Sequence, residues 1–382
     1  MTNLVFTLLC GAMTAGAQAA EDNWLLFIGT YTHGDSQGIY SLNMKKDTGE
    51  LTDPMLAVET ENPSFLALHS RAPVLYSVGN ALNEEGQREG FLNAFSVDGR
   101  SGKLPPIHRM PVKGTEPCHL AVSGTNSHIA VANYGNGSVS LFPLDGEGFL
   151  EALCGYWTHE GSGTHPTRQK GPHAHSVTFN KEGTGLYVAD LGIDKVLRYD
   201  FDEEHGLLTL QKEASLSVEA GSGPRHFAFH PAKPFAYVVN ELANTVTVCG
   251  VEEASGALKY LQTIATLPED FTGESTTAEI RVHPSGKFVY ASNRGHDSIA
   301  VFTVDLETGL LDSAGQIPTG GRSPRHFSLS PDGAYCVVGN ELSGTVRAFR
   351  VNPETGLLED LNQEVRVPNA VCVLFYSQPS ED

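Results

Sequence analysis

Polar and apolar positions along the chain alternate over short runs separated by turns containing glycine, proline or asparagine, a period-two pattern that predicts half-buried strands rather than helices. Six segments repeat one plan: a polar turn, an apolar run, a second turn, and a second apolar run closed by Asn or Asp. They are NPSFLALHSRAPVLYSVGN (62–80), EPCHLAVSGTNSHIAVAN (116–133), GPHAHSVTFNKEGTGLYVAD (171–190), GPRHFAFHPAKPFAYVVN (223–240), TAEIRVHPSGKFVYASN (277–293) and SPRHFSLSPDGAYCVVGN (323–340). Their closing residues, Asn80, Asn133, Asp190, Asn240, Asn293 and Asn340, recur at intervals of 53, 57, 50, 53 and 47, close to the length of one four-stranded propeller blade. Each is followed by a further strand such as SVSLFPL, KVLRYDF or TVTVCGV.

A seventh unit is divided between the ends. Residues 24–30, WLLFIGT, and the following GIYSLNM read as the later strands of a blade, and Ala370-Val371-Cys372-Val373-Leu374-Phe375 as a first strand without the rest. Joining them closes a ring and removes its exposed edges. The expected fold is therefore all-β, a seven-bladed β-propeller closed by pairing of the N- and C-terminal strands in one blade, with no helix longer than a turn or two. Numbered along the chain with the divided unit as blade one, the six segments open blades two to seven.

Composition narrows the partners. Of the 382 residues 40% are hydrophobic, enough for a large core, and Asp+Glu 45 against Lys+Arg 25 leaves a formal charge of −20. With no basic run, such a surface repels polyphosphate and argues against nucleic acid or an anionic membrane as partner. No apolar stretch reaches the roughly 20 residues that span a bilayer. Residues 4–19, LVFTLLCGAMTAGAQA, end in Ala17-Gln18-Ala19 and precede the acidic Glu21-Asp22. This reads as a secretory signal over 1–19, cut after Ala19, leaving 20–382 as one propeller domain that is periplasmic or secreted; if these residues are instead an N-terminal strand, the protein is cytoplasmic. The leading Met1-Thr2-Asn3 lacks the usual basic residue. Cleavage would leave Cys118, Cys154, Cys249, Cys336 and Cys372, with no CxxC pair and irregular spacing, so neither a zinc knuckle nor a disulfide framework is indicated, and at most one or two disulfides could form.

Hairpin arithmetic places the chemistry. Arg225 and Glu241 are symmetric about the turn His230–Pro234, Arg325 and Glu341 about Ser330–Gly333, and Glu279 lies near Arg294 across Pro284–Gly286; likewise His175 is set opposite Asp190 and His119 opposite Asn133. All these pairs lie at the hairpin ends away from their turns, on one rim of the central channel, where a small ligand would be held. Arginine forks suit carboxylate or phosphate. Each Arg–Glu pair could also be a cross-strand salt bridge that merely closes its hairpin. His173 and His175 share a face and either could act as base, whereas His226 and His326, one residue out of phase with their arginines, are expected to turn away from the channel as core or inter-blade histidines. No third ligand assembles around the histidines, so neither metal nor cofactor is expected.

At GSGTHPTRQKGPHAHSVTF, ADLGIDKV, GPRHFAFHP, VVNELANTVTV, SNRGHDSIAVF and the opening FIGTYTHGDSQGIYSLNM, the chain resembles the lactonase family of seven-bladed β-propellers over nearly all of its mature length. That family includes 6-phosphogluconolactonases and a fungal carboxy-muconate lactonizing enzyme. The resemblance implies hydrolysis of a sugar-acid lactone, with the family's catalytic His, Arg, Glu and second Arg falling on His175, Arg225, Glu241 and Arg294; the other rim residues placed by the hairpin arithmetic, His173, His119, Asp190, Glu279, Arg325 and Glu341, are expected to form the substrate-binding surround. A small anionic or sugar-derived lactone is the implied partner. Two other readings remain: a non-catalytic propeller, since the repeats also resemble YVTN-type binding scaffolds, and a muconate-type lactonizing isomerase. A scaffold would repeat similar rim residues in every blade, whereas here His, Arg and Glu concentrate in blades four to seven.

Overall fold

The computed structural model describes residues 22–82 and 85–378; the proposed signal segment lies outside them. Among the described residues the strands form seven antiparallel sheets, six of four strands and one that carries a fifth short strand. The first strand of each unit is innermost, and among the described residues only two single-turn 3₁₀ segments, Leu191–Ile193 and Lys212–Ala214, interrupt the β-structure. In blade one the C-terminal strand Ala370–Tyr376 takes the innermost place and pairs antiparallel with Asn23–Thr30, with Ile28 opposite Val373 and Leu26 opposite Phe375. The ring is thus closed by the two ends of the chain, as the divided repeat predicts.

The repeat has a physical basis. Three of the closing Asn residues are buried near the end of a second strand and turn their amides onto the start of the third: Asn133 Nδ2 donates to Ser138 and Ser140, Asn240 Nδ2 to Thr245 and Thr247, and Asn293 Nδ2 to Ser298, at 2.9–3.2 Å. Blades are tied to one another by buried tyrosines of the second strands. Tyr76, Tyr187, Tyr237 and Tyr290 donate to the carbonyls of Gly148, Gly256, Gly309 and Gly356, each in the turn between the outer strands of the next blade. These glycines have φ between 67° and 85°, and a Cβ on Gly309 would stand 2.5 Å from the Phe235 ring, so only glycine both turns the chain and lets the tyrosine in.

One local feature decides the site. The innermost strands of blades three, four, five and seven carry a bulge at their second residue: Pro117 faces Asn133 but His119 faces Ala132, Ala174 faces Asp190 but Ser176 faces Ala189, and Pro224 and Pro324 behave alike. Blade six has its bulge one step further on, where Ala278 and Glu279 together oppose Ser292 between the pairs Thr277–Asn293 and Ile280–Ala291. The bulged residues are Cys118, His175, Arg225 and Arg325, and in blade six the pair Ala278–Glu279, which shares one partner. A bulge breaks strict alternation, so successive side chains can share a face.

Candidate functional site

The bulges correct the register read from hairpin symmetry. Arg225 is opposite no residue, since Pro224 faces Asn240, yet its side chain still meets Glu241, with Nε donating to Oε2 at 2.9 Å. Arg325 reaches Glu341 at 3.4 Å. Glu279 and Arg294 do not meet: Arg294 faces Thr276 across the strands and sends Nη2 to Glu241 of the neighbouring blade at 3.1 Å. His226 and His326, expected in the core, line the channel next to their arginines, because the bulge puts consecutive residues on the axial side.

The centre of the mouth is Glu241. Its Oε2 receives Arg225 and Arg294, its Oε1 receives Arg168 Nη2 at 2.7 Å, and His175 Nε2 stands 3.9 Å from Oε2. Glu241 is buried at 3% exposure. Burial alone would raise its pKa, but Arg294, Arg225, His175 and Arg168 outweigh that and hold the carboxyl well below the usual carboxylate range. Arg294 is pulled down to about 10, burial dominating over Glu241. Burial first, and then the Arg225 charge, push His175 well below 6.5, so its imidazole is neutral at neutral pH. Cys118, whose Sγ lies 3.8 Å from His175 Nδ1, is pushed up to about 12 by burial and is no nucleophile. His173 donates from Nδ1 to the Tyr134 carbonyl at 2.8 Å and stacks on the Tyr134 ring, its centroid 4.5 Å away. Tyr31 accepts from Arg325 Nη2 at 2.9 Å.

Three expected binding residues lie elsewhere. Asp190 is fully buried and spent on structure, accepting from the backbone N–H groups of His173 and Gly192 and from His159 Nδ1 at 2.6 Å; it shapes the turn that presents His173. His119 follows its bulge down the channel, where it stacks on Phe65 at 4.0 Å between centroids. Glu279, at 2% exposure, lies deeper still among His226, His326 and Arg281. Phe65 touches His119, His226 and His326 from three blades and so stands on the axis beneath the mouth.

Other participants escaped the sequence reading. Arg168, Tyr134 and Tyr31 sit in loops, where no strand register exists to place a side chain. The loop bearing Arg168 is pinned by Gln169, whose amide donates to the Leu191 carbonyl and to Asp194 at 2.8 and 2.6 Å. The TRQK run inside a stretch already singled out was the available signal.

Two spaces open beside these residues. A narrow axial recess is lined by His175, Arg225, Arg325, Tyr31, His226 and Phe65. A groove of about 770 Å³ runs between blades five, six and seven past Arg294, Glu274, Asp297, Arg322 and Leu342. Glu241 pairs with one arginine of each, Arg225 of the recess and Arg294 of the groove. Among the described residues no group of three or more His, Cys, Asp or Glu side chains could hold a metal ion, and Cys118, Cys154, Cys249, Cys336 and Cys372 are all free thiols.

The family model for the lactonase seven-bladed β-propeller matches residues 25–375. The chain belongs to that family. It is 37% identical to the 6-phosphogluconolactonase of Bacillus subtilis over 92% of this chain and 98% of that one, and 32% identical to the 6-phosphogluconolactonase of Formosa agariphila over 80% and 86%. Among solved structures, the periplasmic gluconolactonase of Pseudomonas aeruginosa superposes with a TM-score of 0.86 at 31% identity, covering 94% of this chain and all of that one.

Proposed function

We propose that this protein hydrolyses a sugar-acid lactone at the channel mouth, with His175 as general base, Arg225 and Arg294 as oxyanion and anion ligands, and Glu241 as the group that gathers them. The carrying observation is that one buried carboxylate holds three guanidiniums beside a neutral imidazole. At the mouth the guanidiniums of Arg168, Arg225, Arg294 and Arg325 are ion-paired with two carboxylates, Glu241 and Glu341, a local concentration of positive charge in a chain of net charge −20. That field favours an anionic substrate or the negative charge of a tetrahedral intermediate.

Water attacks the lactone carbonyl carbon while His175 takes its proton. The carbonyl oxygen becomes an oxyanion held by the arginines, and collapse breaks the ring ester bond, the leaving alkoxide taking the proton back from His175. Ring opening yields the hydroxy acid. His175 suits the base role better than Glu241: both Glu241 oxygens are covered by guanidiniums, whereas neutral His175 has a carboxylate 3.9 Å away to stabilise it once protonated. The ring and its substituents have room in the groove beside Arg294, which Asp297, Arg322 and Ser323 also line. The unlike residues at the bulges, Cys118, His175, Arg225, Glu279 and Arg325, favour catalysis over a repeating scaffold.

The proposal extends to residues 1–19 as an export signal. The periplasmic gluconolactonase of P. aeruginosa supports this placement, and no helix among the described residues is long and apolar enough to cross a membrane. Export favours an unphosphorylated sugar lactone over 6-phosphogluconolactone. The test is a panel of δ- and γ-lactones, with and without phosphate, on purified protein with a chelator control, alongside His175→Asn and Arg225→Ala. Each variant should lose about 10²-fold or more in rate while melting cooperatively; wild-type turnover in both would overturn the site.

A further inference from the structure

Beneath the mouth lies a buried group that the proposed chemistry does not use: Glu279, His226 and His326, on the innermost strands of blades six, five and seven. Proton positions there follow from donor inventory. Arginine has only donors, so the 3.1 Å contact between Arg225 Nη1 and His226 Nε2 makes that nitrogen the acceptor. The His226 proton is then on Nδ1, which donates to Glu279 Oε2 at 3.0 Å. His326 is set in the same way: the Val373 N–H donates to Nδ1 at 3.1 Å, so its proton is on Nε2, 3.1 Å from the same Glu279 oxygen. Arg281 Nη2, 3.0 Å from His326 Nε2, therefore meets a proton-bearing nitrogen rather than an acceptor. Glu279 Oε1 accepts from the Ile280 N–H at 3.1 Å and stands 3.2 Å from Arg281 Nε.

At the other end of this chain Arg225 is fully specified. Nε is held by Glu241 and the two Nη1 hydrogens by the Ala278 carbonyl at 2.6 Å and by His226. Among the described residues only the Nη2 hydrogens lack a protein acceptor, and Arg225 lines the recess. We propose that Glu279 and His226 are positioning residues which, by fixing one imidazole tautomer, lock the Arg225 guanidinium with its Nη2 edge presented to substrate. A His226 with its proton on Nε2 would oppose two donors and release Arg225. The inference rests on the lactonase reading for its effect on rate, but the tautomer can be read independently.

The experiment combines kinetics on glucono-δ-lactone with ¹⁵N-histidine NMR of the whole protein. His226→Leu should lower kcat about 10–100-fold with KM changed by less than about threefold, and His226→Gln, whose amide oxygen can accept from Arg225, should recover most of the loss. In an Arg225→Ala background His226→Leu should change kcat by less than about twofold, because the relay then has nothing to hold. NMR should show His226 as the Nδ1–H tautomer in wild type and as a mixture in the isosteric Glu279→Gln, which replaces His226→Leu in the cycle if the latter fails to fold. Additive losses in the cycle, or Gln no better than Leu, would overturn the relay. An Nε2–H tautomer in wild type would overturn it whether or not the lactone is turned over; no turnover by wild type, with the Nδ1–H tautomer present, would instead sink the lactonase reading and with it the kinetic role assigned to the relay.

Discussion

Replacing Glu241 by Gln tests the central electrostatic argument. The substitution keeps shape and a hydrogen-bond acceptor for Arg225 but removes the negative charge on which Arg168, Arg225 and Arg294 converge at 2.7–3.1 Å. Unit charges 4 Å apart at an effective dielectric constant of 20 interact by about 4 kcal/mol. Removing one partner of a buried ion pair typically costs about 3–5 kcal/mol, because the remaining charge is left uncompensated. Arg225 is buried and Arg294 nearly so, whereas Arg168, with its side chain 36% exposed, regains water and adds little. A loss of about 3–5 kcal/mol follows, and with an unfolding entropy of about 2.1 cal/mol/K per residue the midpoint should drop by about 4–7 °C. Hydrolysis should fall by about 10²-fold or more, since the arginines lose their common anchor. The mouth also gains one net positive charge, so gluconate should raise the variant's melting temperature more than the wild type's. Thermal melts with and without gluconate, together with lactone hydrolysis, decide the matter. A melting temperature within about 1 °C of wild type, with no added response to gluconate, would refute the picture of Glu241 as the neutralising hub.

Acid should unfold the protein earlier than carboxylate titration alone would. Burial lowers His119 and His326 to about 3 and His175 and His226 well below 6.5, so below pH about 6.5 the unfolded chain binds protons that the native state refuses. Stability is then complete above that pH and falls as pH drops toward 3, by up to about 1.4 kcal/mol per pH unit for each histidine; a flat melting temperature between pH 8 and 5 would contradict it. Arg168→Ala should leave the midpoint within about 2 °C, since Glu241 keeps two guanidiniums, while raising KM more than it lowers kcat; an unchanged KM would remove Arg168 from the mouth. Gly309→Ala places a Cβ 2.5 Å from the Phe235 ring at φ +75° and should cost about 1–3 kcal/mol, read as a lower melting temperature with kcat retained.

The architecture was legible from the chain because a propeller is written in local terms. Period-two alternation, a polar turn and a closing Asn recur in each blade, and a strand missing from one end reappeared at the other, so Ala370–Phe375 had one place to go. The polar set was legible as a set: His175, Arg225, Glu241, Arg294, Arg325 and Glu341 do share the mouth, because hairpin symmetry sends them to one end of the innermost strands whatever their fine register.

Tertiary structure decided how those residues point and whom they meet. A single bulge at Arg225 turned His226 from an expected core residue into a neighbour of its own arginine, and the bulge at Ala278–Glu279 carried Glu279 away from Arg294 toward two histidines of adjoining blades. Bulges leave the turn residues and the apolar count unchanged, so alternation alone does not reveal them. Arg294 crossed to Glu241 on the neighbouring blade, and Arg168 arrived from a loop; neither contact lies within one hairpin, so no strand register places it. The chain therefore carries the type and rim of its chemistry, while the charge balance at Glu241 exists only once the ring has closed.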